Sequence, residues 1–340
     1  MAESPRLGQA LELALDGFID SMIELREGNL GHSTPVAGNG NIQSADSYVR
    51  GFSRCLTLSN NTPDAPKYSE QFHTALHAYF ESFGLLDHPR VAEWRIDHSG
   101  ARVAHAFNTF IPWCQDLSVK LEGARILEVG CGTGSSTVAL AAHAKYVLAC
   151  DPDQPSINVA RIRLNEDGFA NRVRFLLTDP NLNKLAAINE EFDVAVLYGV
   201  LEHMLPNERE NVFRVIWSLL RRGGKLVVYE TPNRLCFKDE HTTGLIGWSW
   251  LPPRLALRYG RWRRKFQEDT DLVRMYRLGF GMTYSELKTL LQRCAAQYAI
   301  RYRYIREPLY QRVMIKAFTV FLKTPRWAFL NNLNLVIEKC

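Results

Sequence analysis

Residues 125–134 read RILEVGCGTG, and residues 135–151 continue SSTVALAAHAKYVLACD. A short apolar run suited to a fully buried parallel strand leads into three glycines at alternate positions. A small-residue helix and a second apolar run ending in Asp151 follow. Glycine lets the backbone turn sharply and lets a ligand approach with no Cβ in the way. A glycine-rich turn that follows a strand and opens a helix is the arrangement that binds nucleotides in open α/β folds. The spacing over Gly130, Gly132 and Gly134 is GxGxG, which differs from the GxGxxG of dinucleotide folds.

The alternation continues outward from this stretch. A helix is expected near 155–168, then strands VRFLLTD (173–179) and FDVAVLYG (192–199). A helix near 207–221 comes next, then strand KLVVYET (225–231) after the turn Arg222-Gly223-Gly224. Strand and helix alternating in short units predict a doubly wound, mostly parallel sheet. After Thr231 the pattern breaks over 234–282, which is rich in Trp, Arg and Pro. It resumes in TYSELKTLLQRCA (283–295), with Thr283 as N-cap and Glu286 three residues later. YAIRYRYI (298–305) and NLNLVIEK (332–339) read as two further strands, with a helical stretch between them. On the N-terminal side, Leu7, Leu11, Ala14, Phe18, Met22 and Leu25 predict a helix over 6–27 that ends at Gly28 and Gly31. Residues 28–67 read as a long loop, and helical periodicity returns over 69–84 and 88–119. The expected organisation is an N-terminal helical cap (1–119), a core (120–233 and 283–340) and a basic, Trp-rich insertion (234–282).

Four strand ends carry polar residues in the order a carboxyl-edge crevice requires. After the first strand come Glu128, Gly130, Cys131, Gly132, Thr133 and Gly134. Glu128 either orders the turn by accepting backbone N–H bonds or binds a ligand's amino group. Asp151, with Pro152 beside it, ends the second strand, where an acid can accept hydrogen bonds from ribose hydroxyls. Asp179 ends the third; it or its neighbouring backbone can read an adenine amino group, or it is a surface turn acid preceding Pro180. The fourth ends in Tyr198, Gly199, Val200, Leu201, Glu202 and His203.

With these motifs in hand, residues 125–233 resemble the class I S-adenosylmethionine-dependent methyltransferases. ILEVGCGTG is similar to their first motif, CDPD to their ribose acid and LLTDP to their adenine-side acid. FDVAVLYGVLEHM is similar to their fourth strand and LLRRGGKLVVYETPN to their fifth. The VLEH sequence is nearest in flavour to the branch acting on small molecules, including quinone precursors. The resemblance implies a Rossmann-like seven-stranded sheet whose last strand is antiparallel and inserted beside the sixth. It implies S-adenosyl-L-methionine as cofactor and methyl transfer as the activity. Such transfer is mainly positioning, helped for a hydroxyl nucleophile by a base. His203 and His241 are the candidate bases; alternatively His203, with Glu202, starts a helix and contacts the cofactor's methionine end or stabilises the loop, and His241 packs the insertion. The resemblance covers 1–119 and 234–282 poorly.

Composition and absent motifs narrow the field. The chain has 340 residues, 46% hydrophobic and 23% charged, as expected of a globular protein. No apolar run approaches the ~18 residues of a membrane span. The first residues carry acids where a signal peptide needs positive charge, so a cytoplasmic location is expected. The seven cysteines stand at least 17 residues apart, which suits reduced thiols and predicts no zinc or other metal site. No Asn/Asp-Pro-Pro-Tyr motif for base N-methylation and no Pro-Cys dipeptide occurs. Between Arg234 and Met282 lie ten basic and five acidic residues, an excess equal to the whole net charge of +5. The rest of the chain balances to zero. Arginines beside Trp248, Trp250 and Trp262 suit an anionic group or, over 248–265, peripheral contact with the inner face of a membrane. The leading expectation is O-methylation of a small molecule, glycan or lipid-linked acceptor. The alternatives are an RNA methyltransferase and a non-catalytic cofactor-binding interaction protein.

Overall fold

A computed structural model of the chain describes residues 68–236, 238–239, 241–294, 297–302 and 332–340. The helix expected over 6–27, the loop expected over 28–67, the end of YAIRYRYI and the helical stretch after it lie outside these residues. Seven strands form one sheet: β1 (Arg125–Val129), β2 (Tyr146–Asp151), β3 (Val173–Leu177), β4 (Phe192–Tyr198), β5 (Leu220–Pro232), β6 (Tyr298–Arg301) and β7 (Asn332–Lys339). Their spatial order is β3-β2-β1-β4-β5-β7-β6. β1 pairs in parallel with both β2 and β4, β2 with β3, and β4 with β5. β7 runs antiparallel to both β5 and β6. This is the expected Rossmann-like sheet, six strands one way and the last reversed between its neighbours.

The central strands are buried on both faces, which is why they read as unbroken apolar runs. Ile126, Leu127, Val147, Leu148, Ala195, Val196, Val227 and Val228 have essentially no exposed surface. One face packs against the helices Pro206–Leu219 and Tyr284–Cys294, through Phe213, Ile216, Leu287 and Leu291. The other packs against Ser135–His143 and residues 103–114, through Val138, Leu140, Phe110 and Trp113. The expected turn at Arg222-Gly223-Gly224 lies inside β5, which begins at Leu220. Leu220 pairs with Phe192, and the register shift between Phe192 and Val194 absorbs the corner. Thr283 caps the helix after the insertion as its sequence predicts, accepting the Glu286 N–H at 3.1 Å.

Residues 91–116 form one helical run interrupted by two wider π-turns, Asp97–Ala101 and Ala106–Phe110. Such turns insert a residue into the helical repeat and often mark functional sites. The first presents His98 to the glycine turn, with its Nδ1 3.0 Å from Thr133 Oγ1. Arg163 fixes this junction. Its fully buried guanidinium donates to the carbonyl oxygens of Thr133 (2.8 Å) and His98 (2.5 Å) and to Tyr68 Oη (3.0 Å). It also lies 4.8 Å from the ring centres of Tyr68 and Phe72.

The segment after β5 has its own small core of Leu245, Trp248, Ala256, Leu257, Phe266, Met275 and Phe280. Trp248 is only 1% exposed and donates from its indole to the Ala256 carbonyl at 2.7 Å. Arg234 lies 4.0 Å over the Phe280 ring and donates to the carbonyls of Ser249 and Leu251. No helix among the described residues is long and apolar enough to cross a membrane. Replacing Arg163 with Met leaves buried carbonyls without donors, so Arg163→Met should cost about 2–4 kcal/mol in denaturant unfolding. A loss under about 0.5 kcal/mol, the usual range of a surface change, would show that the guanidinium does not hold this junction.

Candidate functional site

The chain runs from β1 outward to β2 and β3 on one side, then crosses to β4 on the other. The loops leaving β1 and β4 therefore diverge, and the crevice between them is where open α/β sheets bind ligands. The glycine turn is built for close approach. Gly130, Gly132 and Gly134 all have positive φ, at 78°, 49° and 81°. A Cβ on Gly130 would stand 2.5 Å from Val200 Cγ2, and one on Gly134 would stand 2.9 Å from Ala160 Cβ. A Cβ on Gly132 would meet nothing within 4 Å. Gly130 thus relieves crowding against the loop after β4 and Gly134 crowding against the helix Gln154–Glu166, while the middle glycine faces open space.

Asp151 is 8% exposed and locks the turn from below. Its Oδ2 accepts the Gly132 N–H at 2.8 Å and its Oδ1 the Asp153 N–H at 2.9 Å. Burial raises its pKa to about 6 despite these two N–H donors. Glu128 is 1% exposed and accepts from the hydroxyls of Ser136 (2.5 Å) and Thr137 (2.6 Å). Burial holds its pKa near 6 as well. These are side-chain hydroxyls of the following helix, where the sequence suggested backbone N–H donors. Cys131 and Thr133 are buried beneath the turn, whereas Pro152 is exposed. Asp179 accepts from the Asn181 and Asn183 N–H groups and from the Asn183 amide, so both oxygens serve the turn it heads. The Tyr198 ring packs 5.0 Å from Phe110 and 4.9 Å from Tyr229. Gly199, at φ 62°, leaves 3.6 Å between the position of a Cβ and Glu202 Oε1.

The two candidate histidines meet. His203 lies in the short turn Leu201–His203 after β4, and His241 comes from the segment after β5, yet their rings are 5.6 Å apart. Glu202 stands between them, with Oε1 3.9 Å from Nε2 of each. His203 Nδ1 is 2.8 Å from the Arg277 carbonyl, which can only accept, so the proton is on Nδ1. Thr242 donates its hydroxyl to the Gly279 carbonyl at 2.7 Å, so His241 Nδ1, 3.1 Å from that hydroxyl oxygen, is the donor there. Burial pushes both imidazoles below the usual range, with the neighbouring His241 adding to the effect on His203. Burial pushes Glu202 up to about 8. Both histidines are therefore neutral at physiological pH and carry their lone pairs on Nε2. Their sequence spacing of 38 residues gave no sign of this cluster, and the sequence predicted no metal-binding group.

Two more features were not legible. His105, at the entrance to the second π-turn, pairs through Nε2 with Glu230 Oε1 at 3.0 Å. Glu230 ends the parallel part of β5 in a left-handed conformation, φ 56°, and its N–H donates to Asn334 Oδ1 at 2.7 Å. These partners are 125 residues apart, beyond any local pattern. Arg209 is 1% exposed and donates to the carbonyls of Leu201 (2.8 Å) and Phe280 (3.1 Å) and to Glu286 (2.7 Å). Arg277 pairs with Glu208 and donates to the His203 carbonyl at 2.9 Å. The inserted segment is thus fastened to the turn that carries Glu202 and His203.

Residues 127–226 match the family model described as a methyltransferase domain. The ubiquinone biosynthesis O-methyltransferase of Bordetella avium (strain 197N) is 29% identical over 144 residues, which is 42% of this chain and 57% of that one. That of Stutzerimonas stutzeri (strain A1501) is 28% identical over 159 residues, 46% of this chain and 64% of that one. The chain thus spans less than two thirds of the length of these relatives. The solved magnesium protoporphyrin IX methyltransferase of Synechocystis PCC 6803, with SAH bound, aligns over 79% of this chain and all of that one. Its identity is 15% and its TM-score 0.47. Residues 127–226 thus resemble a methyltransferase domain, and the strand order around them is the one that a likeness to the class I S-adenosylmethionine-dependent methyltransferases implies.

Gly130→Ala combines a left-handed backbone with a collision against Val200, and should cost about 2–3 kcal/mol in thermal or denaturant unfolding. In the Gly130→Ala/Val200→Ala double variant the collision is gone and only the backbone part, about 1–2 kcal/mol, should remain beyond the cost of Val200→Ala itself. Simple additivity of the two changes would contradict close contact between these loops.

Proposed function

We propose that this chain transfers the methyl group of S-adenosylmethionine to a hydroxyl oxygen of a small molecule. The observation that carries the reading is Asp151, a buried carboxylate at the end of β2 beside a glycine whose missing side chain leaves open space. The residues fit the cofactor. Asp151 keeps lone pairs beyond the two it gives to N–H groups, and these suit ribose hydroxyls. Gly132 admits the cofactor backbone closely. Glu128 acts through the helix it anchors, because its oxygens already accept from Ser136 and Thr137. The cofactor, when bound, supplies a methyl group on a positively charged sulfur.

The rest is positioning by this chain. Strand ends β1, β2 and β4 define the cofactor crevice, and the segment after β5, fastened by Arg209 and Arg277, closes the acceptor side. On this reading the Glu202–His203–His241 cluster and the His105–Glu230 pair serve that side, where a hydroxyl must be oriented and relieved of its proton. Transfer to oxygen is favoured by the likeness to the ubiquinone biosynthesis O-methyltransferases, and a phenolic hydroxyl of a ubiquinone-type precursor is the first acceptor to try.

The RNA and membrane readings have less support. Arg234 and Arg261 donate to protein carbonyls, and Arg277 pairs with Glu208 from the core, so much of the inserted positive charge serves the fold. Trp248 lies in the segment's interior, leaving Trp250, at 44% exposure, as the more open of the two. Arg254, Arg263 and Arg264 are exposed and suit an acceptor with one anionic group.

Asp151→Ala should weaken S-adenosylmethionine binding by about 1–3 kcal/mol in calorimetry, from lost charged hydrogen bonds. Unchanged affinity would remove Asp151 from the site. Asp151 is ionised only above about pH 6, so wild-type affinity should fall as the pH drops from 7 to 5. Asp151→Asn should flatten that dependence. Incubation with methyl-labelled cofactor and fractionated native extract should label a small-molecule fraction. Label in RNA alone would overturn the acceptor class, and binding with no labelled fraction would favour a non-catalytic role.

A further inference from the structure

We infer that Glu202, His203 and His241 form a three-ligand site for a divalent transition-metal ion of the zinc class. Their ligand atoms, two imidazole nitrogens and a carboxylate oxygen, lie within 4.8 Å of one another. The two 3.9 Å separations between Glu202 Oε1 and the imidazole Nε2 atoms are too long for hydrogen bonds. Glu202 and the two imidazoles therefore face one another at more than hydrogen-bond distance. With the two imidazole nitrogens no more than 4.8 Å apart, the point equidistant from all three atoms lies within about 2.5 Å of each, so an inward shift of at most about 0.4 Å brings them to the 2.0–2.2 Å of zinc ligation.

The surroundings are those of a ligand set. Each imidazole is oriented through its other nitrogen, His203 by the Arg277 carbonyl and His241 by the Thr242 hydroxyl, which is itself held by the Gly279 carbonyl. Metal-bound histidines are oriented in this way, which fixes the tautomer with the lone pair toward the ion. Glu202 is 2% exposed, and its Oε2, the second oxygen of the carboxylate whose Oε1 faces the imidazoles, has no hydrogen-bond partner among the described residues. A buried carboxylate oxygen without a partner is costly and calls for a cation or a donor. The nearby guanidinium of Arg209 is committed to Leu201, Phe280 and Glu286. Gly279 makes the room: a Cβ there would stand 2.5 Å from His241 Nδ1. Nitrogen–nitrogen–oxygen donors favour zinc, iron or cobalt over magnesium or calcium, which prefer oxygen alone.

Three protein ligands leave at least one position open, the pattern of catalytic rather than structural zinc. An acceptor hydroxyl at that position would have its pKa lowered, so that its proton leaves to water as its oxygen becomes the nucleophile. This catalytic use rests on the methyl-transfer reading; binding of the ion does not.

The test titrates metal-free, full-length protein with Zn²⁺ by calorimetry and with Co²⁺ by visible absorption. One ion per chain and cobalt bands of a low-coordinate nitrogen–oxygen site are expected. His241→Ala should weaken binding at least about 100-fold, and Thr242→Val, which removes only the orienting hydroxyl, by about 10–100-fold. Each variant's fold is checked by its retained affinity for S-adenosylhomocysteine, which involves neither residue. Absence of saturable binding, or affinity unchanged in both variants, overturns the inference. Metal binding with no methyl transfer in any fraction would overturn the proposed function and leave the metal site standing, and methyl transfer by protein that shows no saturable ion binding would do the reverse.

Discussion

The buried guanidinium of Arg209 holds together parts of the chain that would otherwise be independent. It donates to Leu201 in the turn after β4, to Phe280 at the end of the inserted segment and to Glu286 on the following helix. Taking an arginine out of water is costly, and the cost is offset only when every face of the fork finds an acceptor. That requirement sets where the insertion can sit. Once Phe280 and Leu201 share one guanidinium, Arg277 reaches the His203 carbonyl and Glu208, and His241 is drawn against Glu202. The polar cluster of Glu202, His203 and His241 is therefore a consequence of how the insertion is clamped.

A second buried arginine plays the same part on the cofactor side. Arg163 joins the glycine turn to the first π-turn and to Tyr68, so the helices before β1 are tied to the loop that must approach a ligand. The glycine turn itself is restrained by Asp151 from within and by Val200 across the crevice. A crevice held by two buried guanidinium groups and a carboxylate needs little rearrangement to bind, which suits a reaction governed by positioning.

The sheet was legible because local rules agree with the global fold. Doubly buried strands such as VLAC (147–150) and VAVL (194–197) read as continuous apolar runs, and the glycines stand where φ is positive. The GxGxG turn and Asp151 were likewise readable, since they are close in sequence and sit on strand ends. What could not be read depends on long-range contact. Glu202 and His203 are adjacent, but nothing in the 38-residue interval indicates that His241 returns to them. His105 and Glu230 meet across 125 residues. How much of the insertion's charge faces solvent could not be read either, for a related reason. Composition counts Arg234, Arg261 and Arg277 as surface charge, whereas the fold uses their N–H groups to satisfy carbonyls and Glu208.

The central claim is that one crevice at the carboxyl edge of the sheet binds the cofactor with its sulfur turned toward the cluster of Glu202, His203 and His241. A crystal structure of the full chain with S-adenosylhomocysteine measures this directly. The account predicts ribose hydroxyls within hydrogen-bond distance of the Asp151 carboxylate and the sulfur facing that cluster across the acceptor space. Ribose bound away from Asp151, or a sulfur directed away from the two histidines, would contradict it.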